Sequence, residues 1–370
     1  MSQQTTTPIV DLNTGADEQL TFTTAGETSS ELVRWFANGL RETIVGLGHV
    51  YRDWQSATEV DESGTDRQYT ARLVINLIDT DQPRSIRRAG QGTFVATVAE
   101  GTDNETDVMR AAYPLVPRTL SNMVIYLTHI NGVLESHFIT IEQGHYIVRK
   151  TGDDATFFEQ VFNRIRPLAC SHLVINNDFV PDLPQELWNG DEVTRSIGVA
   201  GRKLDSLGLL PAVFPLHEYL SERELRHVRR LYQMGGLSYG NLSARATHDP
   251  RYFWMSASGV DKSNLEVVGR DILLVTDYNQ DLLQMRLSVP SNIEPRRVSV
   301  DAIEHFMIYR DYPEVGAIVH IHAWWRDPIS STQMNYPCGT YELAHEVAAL
   351  VRQAPDPSQA VIGLKNHGLT

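Results

Sequence analysis

The feature that most constrains the fold is the segment GAIVHIHAWW, residues 316–325, where two histidines stand one residue apart in an apolar run. In a β-strand, alternate side chains point to the same face, so Ile318, His320 and His322 share one face. A strand of this kind turns two imidazoles toward the same neighbour. The segment therefore predicts a strand whose two histidines can bind the same ligand.

The length and charge of the chain limit what it can be. At 370 residues it is longer than one core comfortably supports, so two domains are expected. Its 42% hydrophobic and 21% charged residues are typical of a soluble globular protein. A net charge of −14 argues against binding of a nucleic-acid backbone, which needs clustered positive charge. A phosphorylated small molecule, held by local amides and hydroxyls, stays compatible with this charge.

The cysteines and the N-terminus indicate the compartment. Cys170 and Cys338 are the only cysteines, so no disulfide framework is implied. The first residues, MSQQTTTPIVDLNTG, lack the basic segment and apolar core of a signal peptide. No window approaches the ~20 apolar residues of a membrane span. We therefore expect a cytoplasmic protein with no membrane partner.

The first half of the chain predicts an α+β domain of unknown role over about 29–195. Residues 1–28 are rich in Thr, Gln and Ser, so we expect them to be disordered. A helical stripe follows, with apolar residues at four-residue intervals: Leu32, Phe36, Leu40 and Ile44. Strand-like runs come next, at 69–79, 92–99, 122–130, 137–148 and 171–177. The arginines at 84, 87 and 88 are typical of a solvated loop.

A proline-rich zone separates this domain from the rest. Prolines at 181, 184, 211 and 215 predict a boundary, with a linker over 196–216. Ser221 and Glu224 then form a capping box that predicts the start of a helix. We place the beginning of a second domain, 217–370, at this helix.

Four segments of the second half carry the polar residues of interest. In GGLSYGNLSAR (235–245), glycines allow close backbone approach, and Asn241 and Ser243 add polar side chains. In WMSASGVDKSNL (254–265), Ser258 and Gly259 can present a hydroxyl and amides to an anion. Each segment alone is equally typical of an ordinary turn.

The other two segments surround the histidine pair. In SVDAIEHFMIYRDYPEVGAIVHIH (299–322), Asp301 and His305 lie four apart on one face of a predicted helix. Asp301 can equally be an acid of the first turn, and His305 is better explained as a structural hydrogen-bonding residue. In AVIGLKNHGLT (360–370), His367 precedes a glycine at a strand end. Together with His320 and His322 it completes three imidazole donors, the ligand set of a catalytic zinc site with an open position.

In this order and spacing, the four segments resemble the class II aldolase/adducin family over about 217–370. The resemblance implies an α/β/α layered domain on a mostly antiparallel sheet, usually in a homo-oligomer such as a tetramer. It also implies Zn²⁺, or another divalent metal, on His320, His322 and His367. The groups that hold phosphate in sugar-phosphate members correspond here to Asn241, Ser258, Gly259 and Ser299.

Several positions depart from the family pattern. The aldolases carry a glutamate nineteen residues before the first metal histidine, where this chain has Asp301, as in the pentulose-phosphate 4-epimerase branch. Val300 replaces the second of two paired serines that hold phosphate. The stretch 323–335 is shorter than in the aldolases and epimerases, and the chain stops three residues after His367, where the family continues with a helix. We therefore expect a C-terminally truncated domain.

These residues favour one chemistry. A metal with an open position can stabilise the enediolate of a hydroxy-ketone, and Asp301 can act as the catalytic acid/base. We therefore predict a metal-dependent aldehyde-lyase-type enzyme that acts on a small hydroxy-ketone or sugar phosphate. The alternatives are a pentulose-phosphate epimerase or dehydratase of the same family, or a non-catalytic adducin-like binding protein. Adducin-like relatives lose the three histidines, and this chain keeps them.

Overall fold

The computed structural model describes residues 19–55, 58–60, 67–69, 71–87, 93–140, 145–210, 216–231, 239–323, 325–326, 328–365 and 367–370. Its helices are α1 (Glu31–Gly46), α2 (Val108–Ala112), α3 (Leu115–Thr119), α4 (Asp154–Ala169), α5 (Glu192–Ser206), α6 (Leu216–Tyr219), α7 (Glu222–Leu231), α8 (Ala302–Asp311) and α9 (Tyr341–Gln353), with short 3₁₀ turns at Gln185–Leu187 and Pro357–Gln359. In this part of the chain, no helix is long and apolar enough to cross a membrane.

The strands belong to two large sheets and two small ones. They are β1 (Thr21–Ala25), β2 (Val50–Tyr51), β3 (Thr58–Val60), β4 (Arg67–Tyr69), β5 (Leu73–Leu77), β6 (Phe94–Glu100), β7 (Met123–Ile130), β8 (Val133–Thr140), β9 (His145–Arg149), β10 (Asn176–Val180), β11 (Asn241–Arg245), β12 (Phe253–Ser256), β13 (Ile272–Asn279), β14 (Gln284–Ser288), β15 (Ala317–His320), β16 (Gly363–Leu364) and β17 (Gly368–Leu369).

The first sheet has the order β2-β1-β5-β6-β7-β8-β9. Its strands are parallel from β2 to β7, and β8 and β9 are antiparallel. The central strands β5 and β6 are almost wholly buried and apolar, as is typical of parallel strands with helices on both faces. Apolar residues of α1 and α4 pack on one face, and those of α2 and α3 on the other. This parallel arrangement differs from the α+β domain expected from the sequence, because alternation along a strand does not reveal the direction of its neighbour.

Two expectations for the segments that flank the first domain need correction. The predicted disorder over 1–28 is wrong for β1, which pairs with both β2 and β5, whereas residues 1–18 lie outside the described part. The predicted linker over 196–216 is wrong for its first half, which belongs to α5. This helix packs so closely on the second domain that a Cβ at Gly201 would lie 1.9 Å from the carbonyl oxygen of Lys262. Residues 211–215 lie outside the description.

Helix α7 begins at its predicted capping box, but it packs on a core that the capping box does not predict. The capping box is present, because Glu224 accepts a hydrogen bond from the backbone of Ser221 at 2.8 Å. However, Val228 of α7 packs with Tyr113 and Val116 on the first sheet. The helix at which we place the start of the second domain therefore packs its apolar face on the first domain. A capping box determines where a helix starts and not which core its apolar face joins.

The second sheet has the order β10-β14-β13-β12-β11-β15 and is antiparallel except for the β10–β14 pair. Adjacent residues of β12 contact helices on opposite faces. The ring of Phe253 packs on Tyr309 of α8, and Trp254 Nε1 donates to the carboxylate of Asp191, which caps α5. The domain is thus an α/β/α layer structure on a mostly antiparallel sheet, as predicted.

Strand β10 corrects the placement of the strand-like run 171–177 in the first domain. The last two residues of this run begin β10, and β10 forms an edge of the sheet that carries His320. Pairing with β14 is decided by the distant partner, which local sequence does not encode.

The two domains meet where the chain leaves α4. Val174 N donates to the carbonyl of Gly339 at 2.7 Å, and Tyr341 N donates to the carbonyl of His172 at 2.9 Å. Nδ1 of His172 lies 2.7 Å from Oε1 of the buried Glu342. Tyr336, just upstream, packs against the apolar cores of both domains. The loop before α9 is therefore the junction between the domains.

Candidate metal and catalytic site

His320 is positioned by two strands and one turn. In β15 the residues alternate between exposed and buried, and His320 is turned inward opposite Asn241 of β11. Its Nδ1 lies 2.9 Å from the carbonyl oxygen of Leu369, so Nδ1–H donates and Nε2 is left as the acceptor. A Cβ at Gly240 would lie 2.2 Å from the carbonyl oxygen of His320, so only glycine permits this approach.

His322 and His367 converge on the same point. Nε2 of His367 lies 3.2 Å from Nε2 of His320, and the ring centroids of His322 and His367 are 4.4 Å apart. One potential ligand atom from each of the three residues lies within 4.8 Å of the other two. The turn that carries His367 is held by the Ile321–Leu369 bridge, where a Cβ at Gly368 would lie 2.1 Å from the carbonyl oxygen of Ile321.

The chemistry of this donor set fits a divalent metal. Burial lowers the pKa of His367 to about 3, and it also lowers the pKa values of His320 and His322. The three imidazoles are therefore neutral at physiological pH, as metal ligands must be. The 3.2 Å between two Nε2 atoms is close to the ~3.3 Å that separates two nitrogens bound to one tetrahedral zinc ion.

Asp301 stands beside this trio on the same face of the sheet. It is buried at the start of α8, where its side chain does not cap the helix. Oδ2 accepts a hydrogen bond from Asn241 Nδ2 at 2.7 Å, whereas the buried Oδ1 has no hydrogen-bond partner among the described residues. Asp301 also raises the pKa of His320, against the larger effect of burial. A buried carboxylate oxygen without a partner is the arrangement expected where a ligand is to be met.

A second carboxyl group and an amine surround Asp301. Glu304, one turn along α8, is buried, and burial together with Asp301 raises its pKa well above 4.5. Its Oε1 accepts from Thr370 Oγ1 at 2.6 Å, and the buried Oε2 is unpartnered in the described structure. Burial lowers the pKa of Lys262 to about 8, and Asp301 and Asp261 oppose that shift. The arrangement combines proton-holding groups with a metal-type donor set in one buried place.

Comparison with known proteins agrees with this arrangement. Residues 226–370 match the family described as Class II Aldolase and Adducin N-terminal domain. This part of the chain is similar to a class II aldolase/adducin domain.

Curated relatives of this chain include methylthioribulose-1-phosphate dehydratases. One from Cronobacter sakazakii is 35% identical over 85 residues, which is 22% of this chain and 36% of the relative. One from Citrobacter koseri is 32% identical over 83 residues, or 22% of this chain and 34% of the relative. The chain thus matches about a third of the length of these relatives.

Two solved structures show a more distant similarity. An L-fuculose 1-phosphate aldolase is 17% identical and covers 49% of this chain and 74% of its own, with a TM-score of 0.33. The L-fuculose 1-phosphate aldolase from Glaciozyma antarctica PI12 is also 17% identical, covers 48% and 61%, and has a TM-score of 0.32. With scores this low, the fold rests on the strands and helices described above.

The class II aldolase-like domain brings together the residues for which the resemblance implies phosphate binding. Segments 256–258 and 297–299 pair, since Ser299 N donates to the carbonyl of Ser256 and Ser258 N to that of Arg297. Gly259 follows with φ +68° in the left-handed region. Among the described residues, neither the Ser258 nor the Ser299 hydroxyl has a hydrogen-bond partner. Asn241 differs, because its amide is bonded to Asp301.

Three residues of the site were not foreseen from the sequence. Glu304 could have been found, because it lies three residues after Asp301 and therefore one helical turn away. Lys262 sits in SGVDK, where spacing gives no reason to expect a buried amine. The sulfur of Cys338 lies 3.1 Å from Nε2 of His367, but its neighbourhood depends on the domain junction. His305 bonds the Ser243 hydroxyl through Nδ1 at 2.7 Å, consistent with a structural role.

Proposed function

We propose that the chain is a metal-dependent lyase that acts on a small hydroxy-ketone, such as a sugar phosphate, through an enediolate. The observation that carries the proposal is the convergence of His320, His322 and His367 beside the unpartnered carboxylate oxygen of Asp301. When bound, Zn²⁺ or another divalent metal would polarise the carbonyl and hydroxyl oxygens of the substrate. The three histidines would hold that metal.

The chain's own residues would divide the remaining tasks. Asp301 would take and return the proton next to the substrate carbonyl, with its orientation fixed by the Asn241 amide. Ser258, Gly259 and Ser299 would receive a phosphate at the end of the sheet where their segments pair. Asn241, for which the resemblance implied phosphate binding, is better suited to orienting Asp301.

The curated relatives favour loss of water as the outcome. They are named dehydratases of a ketose phosphate, so breakage of a C–O bond next to the enediolate is the first reaction to test. Aldehyde release by C–C cleavage passes through the same intermediate and is the second. We also propose zinc as the metal, a homo-oligomer as the assembly and the cytoplasm as the compartment.

The test uses the full chain loaded with one equivalent of zinc. The substrates are methylthioribulose 1-phosphate, followed for the dehydrated product, and a panel of ketose 1-phosphates, followed for aldehyde. We expect turnover on at least one of them and one bound zinc per chain. H320A and H322A should each lose both zinc and turnover, whereas H345A, at an exposed histidine of α9, should keep both.

The binding-protein alternative makes the opposite prediction. A chain that binds no divalent metal at neutral pH, or whose metal content survives H320A and H322A, would contradict the proposed function. Turnover by the metal-free chain would contradict the metal dependence of the reaction, but it would still support lyase activity.

A further inference from the structure

A cleft at the domain boundary lies apart from the histidine site and shares no residue with it. It is formed by β9, α4 and one side chain of the second domain, and has a volume of about 490 Å³, within the range of small-molecule sites. The residues that line it are Ile147, Val148, Arg149, Thr151, Gln160, Asn163, Arg164 and Met334. We propose that this cleft binds a small molecule carrying an oxyanion, a phosphate or a carboxylate, and that its occupancy affects the histidine site.

The charge of the cleft supports an anion. Its lining contains two arginines and no acidic side chain, in a chain whose net charge is −14. Arg164 has no hydrogen bond or ion pair with a described residue, and its guanidinium is held over the ring of Tyr146 at 5.4 Å. Arg149 donates from Nε to Glu135 at 2.6 Å, which leaves its terminal nitrogens without a described partner. Two guanidinium groups in one lining suit the forked geometry of phosphate and carboxylate.

Polar groups beside the arginines complete the chemistry. Gln160 and Asn163 lie on the same helix as Arg164, and Thr151 follows β9. Their amides and hydroxyl can both donate and accept hydrogen bonds, which suits the hydroxyl groups of a metabolite more than a bare ion. Ile147, Val148 and Met334 supply apolar contact. A small organic molecule with one anionic group fits this lining.

Met334 connects the cleft to the histidine site both through residues that precede it in the chain and through residues that follow it. Its carbonyl accepts from Thr332 Oγ1, which in turn accepts from the backbone N–H of Lys365 at 2.8 Å, two residues before His367. In the other direction, the chain from Met334 reaches Cys338, whose sulfur lies 3.1 Å from Nε2 of His367. A ligand that fixes Met334 would therefore restrain both the segment that contains His367 and the segment that contacts it. Coupling between the two sites must be reciprocal.

Inorganic phosphate and citrate are the probes, titrated into the metal-free full chain at constant ionic strength by calorimetry. We expect saturable binding that R164Q and R149Q each weaken by at least about tenfold. Citrate tighter than phosphate would assign the carboxylate class, and the reverse the phosphate class. R226Q, at an exposed arginine of α7, is the matched control and should bind like the wild type. Circular dichroism of the arginine variants verifies that they fold, and Q160A provides a milder lining change.

The histidine variant H322A separates this proposal from the proposed function. Anion binding should persist in H322A, because the cleft does not contain that residue. In the wild type, a saturating anion should change zinc affinity by more than the anion's own binding of zinc accounts for, measured by competition with a chelating dye, and R164Q should abolish that excess. The proposal is overturned if neither anion binds, or if binding disappears in H322A and is unaffected by R164Q. Binding without any change in zinc affinity would overturn the coupling.

Discussion

The sulfur of Cys338 lies 3.1 Å from Nε2 of His367, the same atom with which that histidine would bind a metal. One lone pair cannot accept a hydrogen bond from a thiol and coordinate a metal at once. Metal binding must therefore displace the thiol or recruit it as a thiolate. Four donors around a zinc ion place sulfur and nitrogen about 3.6 Å apart, and the Cys338 sulfur already lies within that distance of His367 Nε2.

We expect Cys338 to become a fourth ligand when the metal binds. The protein loaded with Co²⁺ should show sulfur-to-cobalt charge-transfer absorption in the near ultraviolet, and C338S should lose it while keeping the metal. C170S is the matched control, because Cys170 is buried in the core of the first domain. An identical cobalt spectrum in C338S would exclude ligation. If Cys338 does ligate the metal, a substrate would have to displace the thiolate or enter as a fifth donor.

Asp301→Asn tests the acid/base assignment. The amide keeps the shape of the side chain and can still accept from Asn241, but it cannot take up a proton as a carboxylate does. Turnover should fall by roughly 10²- to 10⁴-fold, with metal content unchanged. Asp281→Asn, at an exposed turn, should leave turnover as it is. Unchanged turnover in Asp301→Asn would assign the proton transfer to another group.

Glu304 predicts a pH dependence of stability. Its pKa in the folded protein is raised from 4.5 to about 8, so between these values the folded state holds a proton that the unfolded state has lost. The free energy of unfolding should therefore fall as pH rises from about 5 to 8, by at most about 1.4 kcal/mol per pH unit. E304Q should lack this component, and E314Q, at an exposed glutamate, should keep it. Urea unfolding of the metal-free protein across this pH range measures the free energy of unfolding. The same pH dependence in the wild type and in E304Q would contradict the prediction.

The contact between Glu342 and His172 should contribute to the stability of the domain junction. Its carboxylate accepts from both the backbone N–H and Nδ1–H of His172, at 2.8 and 2.7 Å. E342A leaves these donors without their acceptor, which should cost about 1–3 kcal/mol in the free energy of unfolding. E342Q, which keeps one acceptor, should cost less, and E186A, at an exposed glutamate, should cost little. Equal urea midpoints for E342A and wild type would show that the junction does not depend on this contact.

The architecture and the candidate site of the second domain could be predicted from the sequence more completely than the architecture of the first. The two-residue period around His320 reports an inward face, and the glycine after His367 reports close backbone contact, so the convergence of the histidines follows from local signals. The α/β/α layering followed from the family resemblance, which no single segment carried.

What could not be predicted depends on partners distant in the chain. Helix α7 has a complete start signal, yet its apolar face lies on the first sheet. The raised pKa of Glu304 needs burial from every side, and one helical turn of sequence does not reveal how many neighbours will cover a residue. Lys262 is buried for the same kind of reason, because α5 crosses close to its backbone.

The position of β10 shows that the segment matching the family and the segment forming the second sheet have different bounds. The family match begins at residue 226, but the matched sheet takes its edge strand from 176–180 and one covering helix from 192–206. A fragment cut at the family boundary would leave β14 as an open edge and Trp254 uncovered, both of which favour aggregation. The same fragment would carry part of α7 without the sheet on which it packs. In this protein, the residues that match the family share their sheet and their core with residues that precede them in the chain.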